Sequence, residues 1–387
     1  MKVAIGTQSF LPYTQSWIYR QMKGVRANVA LVICNQKENL NEFPFDRIDV
    51  IPDKSLLLRK ITYKLKPILK YFPYYVSAQK WSGYFNALKR NKIELVHVHF
   101  GIMAVEFMGV CKALKIPLLV TFHGFDITAA VKRDPSYHRA LLSLFNEMSL
   151  GIAISHEMKA RLVALGCAEH KLRVSYLGIP LQEFMYTDRT SHAGTIKFLH
   201  AGRLSGTKGV PDLVRSFSSE FKKEDQVELF IVGEGEEKAE VMRVIAQSPV
   251  KDKIRFLGKI GNEELKQYRK DCDVFVLNCR TPVSGDKEGL PIALLEASCT
   301  GLPIVTTTHS GIPEGVLHER TGLLVAEFDN NALSLALRKM MDKNIRLKYG
   351  QQGRQWMEEA FDLVKCNQVL DELYEESFAA SSQIKKN

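Results

Sequence analysis

With 387 residues, 45% of them hydrophobic and 25% charged, the chain is too long for one ordinary core and has the composition of a two-domain globular protein. Seven scattered cysteines with no Cys-x-x-Cys pair exclude a disulfide framework or a zinc ribbon, and fit the reduced thiols of a cytosol. The net charge of +10 points to anionic partners; no nucleic-acid motif, secretory leader or membrane span is expected from the pattern.

Val3–Thr7 reads as a short buried strand, the usual opening of a doubly wound α/β domain. Ser16–Val25 follows as a helix and Val29–Cys34 as a second strand. From Lys54 to Lys92 the chain carries ten Lys and Arg and no Asp or Glu, interleaved with Tyr, Phe and Trp. Cations with amphipathic rings suit a helix resting on an anionic bilayer, with Lys60, Lys64, Lys66, Lys70 and Trp81 as the membrane and acceptor face. An ordinary helical insertion with aromatics in the core has the same composition.

Ile93–His99 is the next expected strand. Its alternation puts His97 and His99 on one face, with no cluster beside them to complete a metal shell. Pro117–Phe122 delivers His123-Gly124-Phe125-Asp126 to the strand's carboxyl end, the rim where open α/β sheets bind ligands. His123 is the catalytic candidate there, with Gly124 and Asp126 as loop and imidazole support. Gly151–Ser155 and Lys171–Tyr176 are further strands. Tyr186–Gly194, polar and loosely patterned, reads as a linker, which divides the chain into domains 1–185 and 186–355.

The second domain repeats the grammar. Ile196–Ala201 runs into Gly202-Arg203-Leu204-Ser205-Gly206-Thr207-Lys208-Gly209, where Arg203 as a fork and Lys208 as a point charge can converge on a diphosphate. Val227–Val232 leads to Gly233-Glu234-Gly235, too short for a dinucleotide fingerprint because Lys238 stands where the third glycine belongs. Asp271-Cys272-Asp273 mimics a metal-binding Asp-x-Asp but sits at a helix-to-strand junction and reads as structural. After a strand at Asp273–Leu277 comes Glu288-Gly289-Leu290-Pro291, then a helix at Ile292–Cys299 that carries Glu296. Free N–H groups around Gly289, Leu290 and Ile292, with Pro291 at the helix start, make a phosphate cradle. Flanking carboxylates accept hydrogen bonds from sugar hydroxyls. Trp356–Phe378 reads as a long amphipathic helix returning to brace the N-terminal domain.

The run E-G-L-P-I-A-L-L-E-A-S-C-T-G-L-P resembles the Glu-x7-Glu signature of retaining glycosyltransferases of family 4, which have the GT-B fold: α/β, with two Rossmann-like doubly wound parallel sheets facing a cleft. The resemblance implies that Glu288 faces the donor hexose, that Glu296 holds the ribose, and that His123 lies beside the anomeric centre. It further implies that Arg203 and Lys208 bind the diphosphate and that Gly233, Glu234 and Gly235 border the nucleotide. Thr306–Glu314 is similar to the family's nucleotide-side loop. His-Phe-Gly at 99–101 and the segment Gln8–Ile18, which replaces the family's Gly-Gly loop, are closer to an exopolysaccharide and colanic-acid subgroup.

The expected activity is hexose transfer with retention, from a nucleoside diphosphate sugar (UDP favoured) to a polyprenyl-diphosphate-linked saccharide in surface polysaccharide synthesis. No cofactor or metal is expected, because two cations and a helix start can meet the leaving charge. A cytoplasmic protein, peripheral at the membrane, is the matching location. A nucleotide-sugar epimerase on the same fold and a non-catalytic membrane-associated scaffold are the alternatives.

Overall fold

Strands covered on both faces need continuous apolar runs, and Val274–Leu277 (V-F-V-L) is buried at every position. The computed structural model describes residues 1–12, 15–52 and 76–384, and the chain forms two units, Met1–Gly178 with Leu363–Asn387, and Ile179–Asp362. In the first unit the described strands are β1 (Lys2–Phe10), β2 (Asn28–Lys37), β3 (Ile48–Val50), β4 (Leu95–His99), β5 (Leu118–Phe122), β6 (Leu150–Ala153) and β7 (Leu172–Val174). They pair in the order β3-β2-β1-β4-β5-β6-β7, all parallel. The second unit holds β8 (Ile196–Ala201), β9 (Val227–Val232), β10 (Ile254–Gly258), β11 (Val274–Leu277), β12 (Ile304–Thr307) and β13 (Gly322–Val325). Their order is β10-β9-β8-β11-β12-β13, again parallel. In each sheet the order reverses beside its first strand, which opens a crevice at the strands' carboxyl ends.

The boundary between the units lies at Gly178–Ile179, not at 185/186. Tyr186–Gly194 is no linker, because Arg189 is buried in the second unit. Its guanidinium donates to the carbonyls of Thr187, Thr300, Arg269 and Cys272 at 2.6–3.0 Å. The single helix expected at Trp356–Phe378 is two: Lys343–Ala360 in the second unit and Leu363–Ile384 in the first. Ile179 N–H donates to Phe361 O at 2.7 Å, which occupies the chain where a continuous helix would have run.

The last helix completes the first unit. Asp371 accepts the backbone N–H groups of Arg26 and Ala27, and Asn367 Nδ2 donates to Gln21 O. Gly178 has no side chain for a steric reason: a Cβ there would sit 2.4 Å from Leu363 Cα. No described helix is long and apolar enough to cross a membrane.

Candidate functional site

The second unit's site grows from the loops after β8, β11, β12 and β13. The loop after β8 is set by its neighbours. Leu204 N–H donates to Glu234 O, Arg280 Nε to Gly206 O, and Asn278 Nδ2 to Gly209 O. The two glycines at 233 and 235 serve this packing. A Cβ on Gly233, whose φ is +144°, would lie 1.9 Å from Gly202 O, and one on Gly235 would lie 2.3 Å from Leu204 O. Glu234 between them pairs with Lys238 at 2.8 Å.

This scaffold presents Lys208 to Glu288, with Nζ and Oε1 2.9 Å apart and the lysine side chain only 11% exposed. Burial opposes both charges, yet each offsets it for the other. Lys208 is held above the usual lysine value, with Asp286 also contributing. Glu288 is held below the usual carboxylate range, against burial, by Lys208 and the Thr207 hydroxyl. Asp286, which the sequence reading did not single out, is pushed up to about 6 by burial and then by Glu288, against Arg203 and Lys208. Two neighbouring carboxyls thus have their proton affinities driven apart.

Arg203 does not converge with Lys208 as the loop pattern suggested. Its side chain is 66% exposed and pairs with Glu236 at 3.0 Å. Extended from a loop tip, it reaches the nearest surface carboxylate, and only its field, felt at Asp286, joins the site.

The helix Ile292–Cys299 forms within the expected bounds. Pro291 is its N-cap, with no side chain capping the first N–H groups and no acidic residue in the first turn. Uncapped N–H groups beside a buried lysine suit an anion. Gly289 is clasped through its carbonyl by Gly311 N–H at 3.1 Å, while Leu290 is buried. Glu296, in the second turn, pairs with buried Arg269 at 2.5 Å, so a residue from helix Asn262–Asp271 aims the carboxylate expected to meet ribose.

Asp271 and Asp273 stand at the other end of the sheet, before β11. Asp273 accepts Lys197 N–H at 2.9 Å and contacts His192 Nδ1 at 3.1 Å; Asp271 accepts from Gln267 at 2.9 Å. Both are structural. No group of three or more His, Cys, Asp or Glu among the described residues could hold a metal.

In the first unit, His123 leaves β5 half-buried, with its Nε2 3.2 Å from His99 Nδ1. Trp17 lies 4.8 Å and Phe100 4.3 Å from its ring centroid. His97, on the same face, is fully buried and contacts Thr121 Oγ1 at 2.7 Å and Tyr374 Oη at 2.9 Å. Burial holds all three imidazoles below the usual histidine range, His99 at about 3, so the cluster is neutral at pH 7. Asp126 accepts N–H groups from Gly101, His123 and Gly124 at 2.8–3.0 Å, which fixes the loop backbone; it does not touch the imidazole in this arrangement.

Lys60, Lys64, Lys66 and Lys70 lie outside the described residues. In the described helix Ala78–Arg90, Lys80 is buried and ion-paired with Glu106, which also accepts from the Tyr84 hydroxyl at 2.8 Å. Part of the basic aromatic run is therefore core. Trp81 remains 36% exposed, stacked on Phe85 at 5.2 Å.

Residues 187–356 match the family model of glycosyl transferases group 1, and residues 52–183 that of Glycosyltransferase Family 4. The chain belongs to this glycosyltransferase family. Among its relatives is the amylovoran biosynthesis glycosyltransferase AmsK of Erwinia amylovora, 31% identical over 64% of this chain and 61% of its own. The putative colanic acid biosynthesis glycosyltransferase WcaL of Escherichia coli is 30% identical over 65% and 62%. The matches span about three fifths of those curated relatives' length. Anabaena HepE in complex with UDP-glucose has the same GT-B fold, with a TM-score of 0.78 and 19% identity over 97% of this chain and 99% of that one. The family's two parallel-sheet, Rossmann-like domains are the two units described above.

Proposed function

We propose that this glycosyltransferase family member transfers a hexose from a UDP-sugar, with retention, to a lipid-linked saccharide in exopolysaccharide or other surface polysaccharide synthesis. The observation that carries the reading is the buried Lys208–Glu288 contact at 2.9 Å beside an uncapped helix start. Breaking the donor's glycosidic bond releases a diphosphate, so the barrier falls where fixed positive charge meets the departing oxygens. Lys208 and the N–H groups at Ile292 supply that charge, and Arg203 can turn from its exposed partner to add a bidentate fork. Glu288, ionised, accepts from hexose hydroxyls, and Glu296, aimed by Arg269, accepts from the ribose diol.

His123 lines the reacting centre in this reading as a neutral imidazole. Its hydrogen bond to His99 allows one proton between the two rings and so couples their tautomers. No metal is assigned a part, because the cations above do the same electrostatic work. The kinship with amylovoran and colanic acid enzymes supports a polysaccharide product, and the UDP-glucose bound to the HepE neighbour supports UDP as the carrier. Exposed Trp81 and the basic run before it support docking to an anionic membrane where a lipid-linked acceptor resides.

Calorimetric titration with UDP, GDP and ADP, in EDTA and then with magnesium, tests the donor site. Binding of UDP in EDTA is the expected result. Binding of none of the three, or binding only with magnesium, rejects it.

A further inference from the structure

We infer that His309, held by Glu327, is a positioning residue for Glu288. His309 follows β12, and its side chain is fully buried. Its Nδ1 stands 2.7 Å from Glu327 Oε1, and its Nε2 is 3.1 Å from the backbone nitrogen of Glu288. The Glu288 N–H can only donate, so Nε2 must hold a lone pair. The proton then sits on Nδ1 and is donated to Glu327. The geometry therefore fixes one tautomer of a neutral imidazole.

Glu327, beyond β13, is itself pinned. It accepts the Thr281 N–H at 2.6 Å and the Thr281 hydroxyl at 3.3 Å. Thr281 follows β11, so the carboxylate joins the start of the loop that carries Glu288 to the imidazole that holds it further on. The next residues add a second grip, since Gly311 N–H donates to Gly289 O at 3.1 Å. Ser310 between the two grips has φ +48°, a left-handed turn that lets both His309 and Gly311 face the same loop.

A carboxylate on a flexible loop cannot discriminate a sugar's hydroxyl geometry. A chain of directional bonds that orients its peptide plane can, and an outer shell that fixes a contacting residue is a recurrent device in binding centres. Both ring nitrogens of His309 are engaged, one by Glu327 and one by the Glu288 N–H, so the pair acts through Glu288. The inference rests on the donor-site reading above.

The test uses purified full-length protein. UDP affinity is measured by calorimetry, and turnover as hydrolysis of UDP-glucose to UDP and glucose with water as acceptor, or of GDP- or ADP-glucose to GDP or ADP if wild type consumes that donor instead. His309→Ala should lower turnover about ten- to hundredfold while UDP affinity stays within threefold, because the phosphate contacts do not run through this pair. His309→Gln, which keeps an acceptor near the Nε2 position, should recover a large part of the rate. Unchanged turnover in His309→Ala overturns the inference, as does an equal loss of UDP affinity or a Gln variant no better than Ala. Should His309→Ala fail to fold, Glu327→Gln decides: a several-fold lower rate with unchanged UDP affinity supports the pair, and an unchanged rate overturns it. If wild type binds no nucleotide, the donor-site reading itself has failed; if wild type turns over and the variants match it, only the positioning role has.

Discussion

Lys208 Nζ and Glu288 Oε1 stand 2.9 Å apart, so the cation offered to a diphosphate is already paired with the carboxylate offered to the sugar. A donor diphosphate must share the three N–H groups of that ammonium with the glutamate, whose negative charge opposes the anion's approach. Glu288→Gln should therefore bind UDP as tightly as wild type or a few-fold tighter while losing turnover on the order of a hundredfold. Lys208→Met should lose UDP affinity by about tenfold or more, since a hydrogen bond to a charged group contributes about 1.5–3 kcal/mol. Calorimetry against UDP reads both signs, and equal losses of affinity in the two variants would contradict this competition for the lysine.

Stability should fall on mild acidification. Burial holds His97, His99, His200 and His309 below their unfolded value of about 6.5, with His99 near 3 and His200 near 4. Below pH 6.5 the unfolded chain binds protons that the folded chain refuses, so each such histidine lowers stability by up to about 1.4 kcal/mol per pH unit until its folded value is reached. Asp286, raised to about 6, and Asp126, raised by burial, act in the opposite sense, because there the folded chain binds the proton first. The histidines outnumber them, and urea midpoints at pH 7.5 and 5.5 should show the lower value at pH 5.5. An unchanged or higher midpoint at pH 5.5 would be incompatible with neutral buried rings.

Arg189 satisfies four carbonyls with one planar fork. A lysine ammonium is a point donor and cannot span them. Arg189→Lys should destabilise the second unit by about 2–4 kcal/mol, through buried carbonyls left without donors. UDP affinity of the folded fraction should fall far less than in Lys208→Met, because the contacts reach the site only through the Arg269 carbonyl, behind Glu296, and none reaches Lys208 or Glu288. Chemical unfolding and calorimetry on the same sample separate the two effects.

Phe100 has φ +72° and ψ 127°, a region that L residues rarely adopt. Its neighbours over-determine it: Phe100 N–H donates to Thr121 O, its carbonyl accepts from Met103 and Ala104, and Gly101 N–H is held by Asp126. Phe100→Gly should be more stable than Phe100→Ala by about 1 kcal/mol, since both lose the ring and only Ala keeps the strain. Both should lower turnover, because the ring packs 4.3 Å from His123. Equal stability of the two variants would mean the backbone relaxes instead.

Much of the architecture was legible where local pattern and tertiary burial agree. Ile196–Ala201, Val227–Val232 and Gly322–Val325 form strands over the expected residues, because unbroken apolar runs flanked by glycine have few other uses. Ile48–Val50 is too short for any period to appear, and Arg189 hides in a polar stretch because one buried guanidinium leaves no periodic trace. The Lys208–Glu288 contact joined two residues each visible in its own motif. His309 and Glu327 were not singled out, because they matter only once β11, β12 and β13 lie side by side. The pairing of Arg203 with Glu236 was hidden for a similar reason: a motif fixes a residue's position on the loop but not the partner its long side chain finds.

The return of Leu363–Ile384 to the first unit has a consequence for how the chain is made. Asp371 supplies the acceptor for Arg26 and Ala27, and Tyr374 the partner for His97, yet both emerge from the ribosome after the whole of the second unit. At synthesis rates of about 5–20 residues per second, the N-terminal sheet waits roughly 10–40 s for the helix that seals it. The second unit, contiguous from Ile179 to Asp362, can close first. The domain translated first is the one finished last, and in that interval its uncovered sheet is the part of the nascent chain most in need of a chaperone.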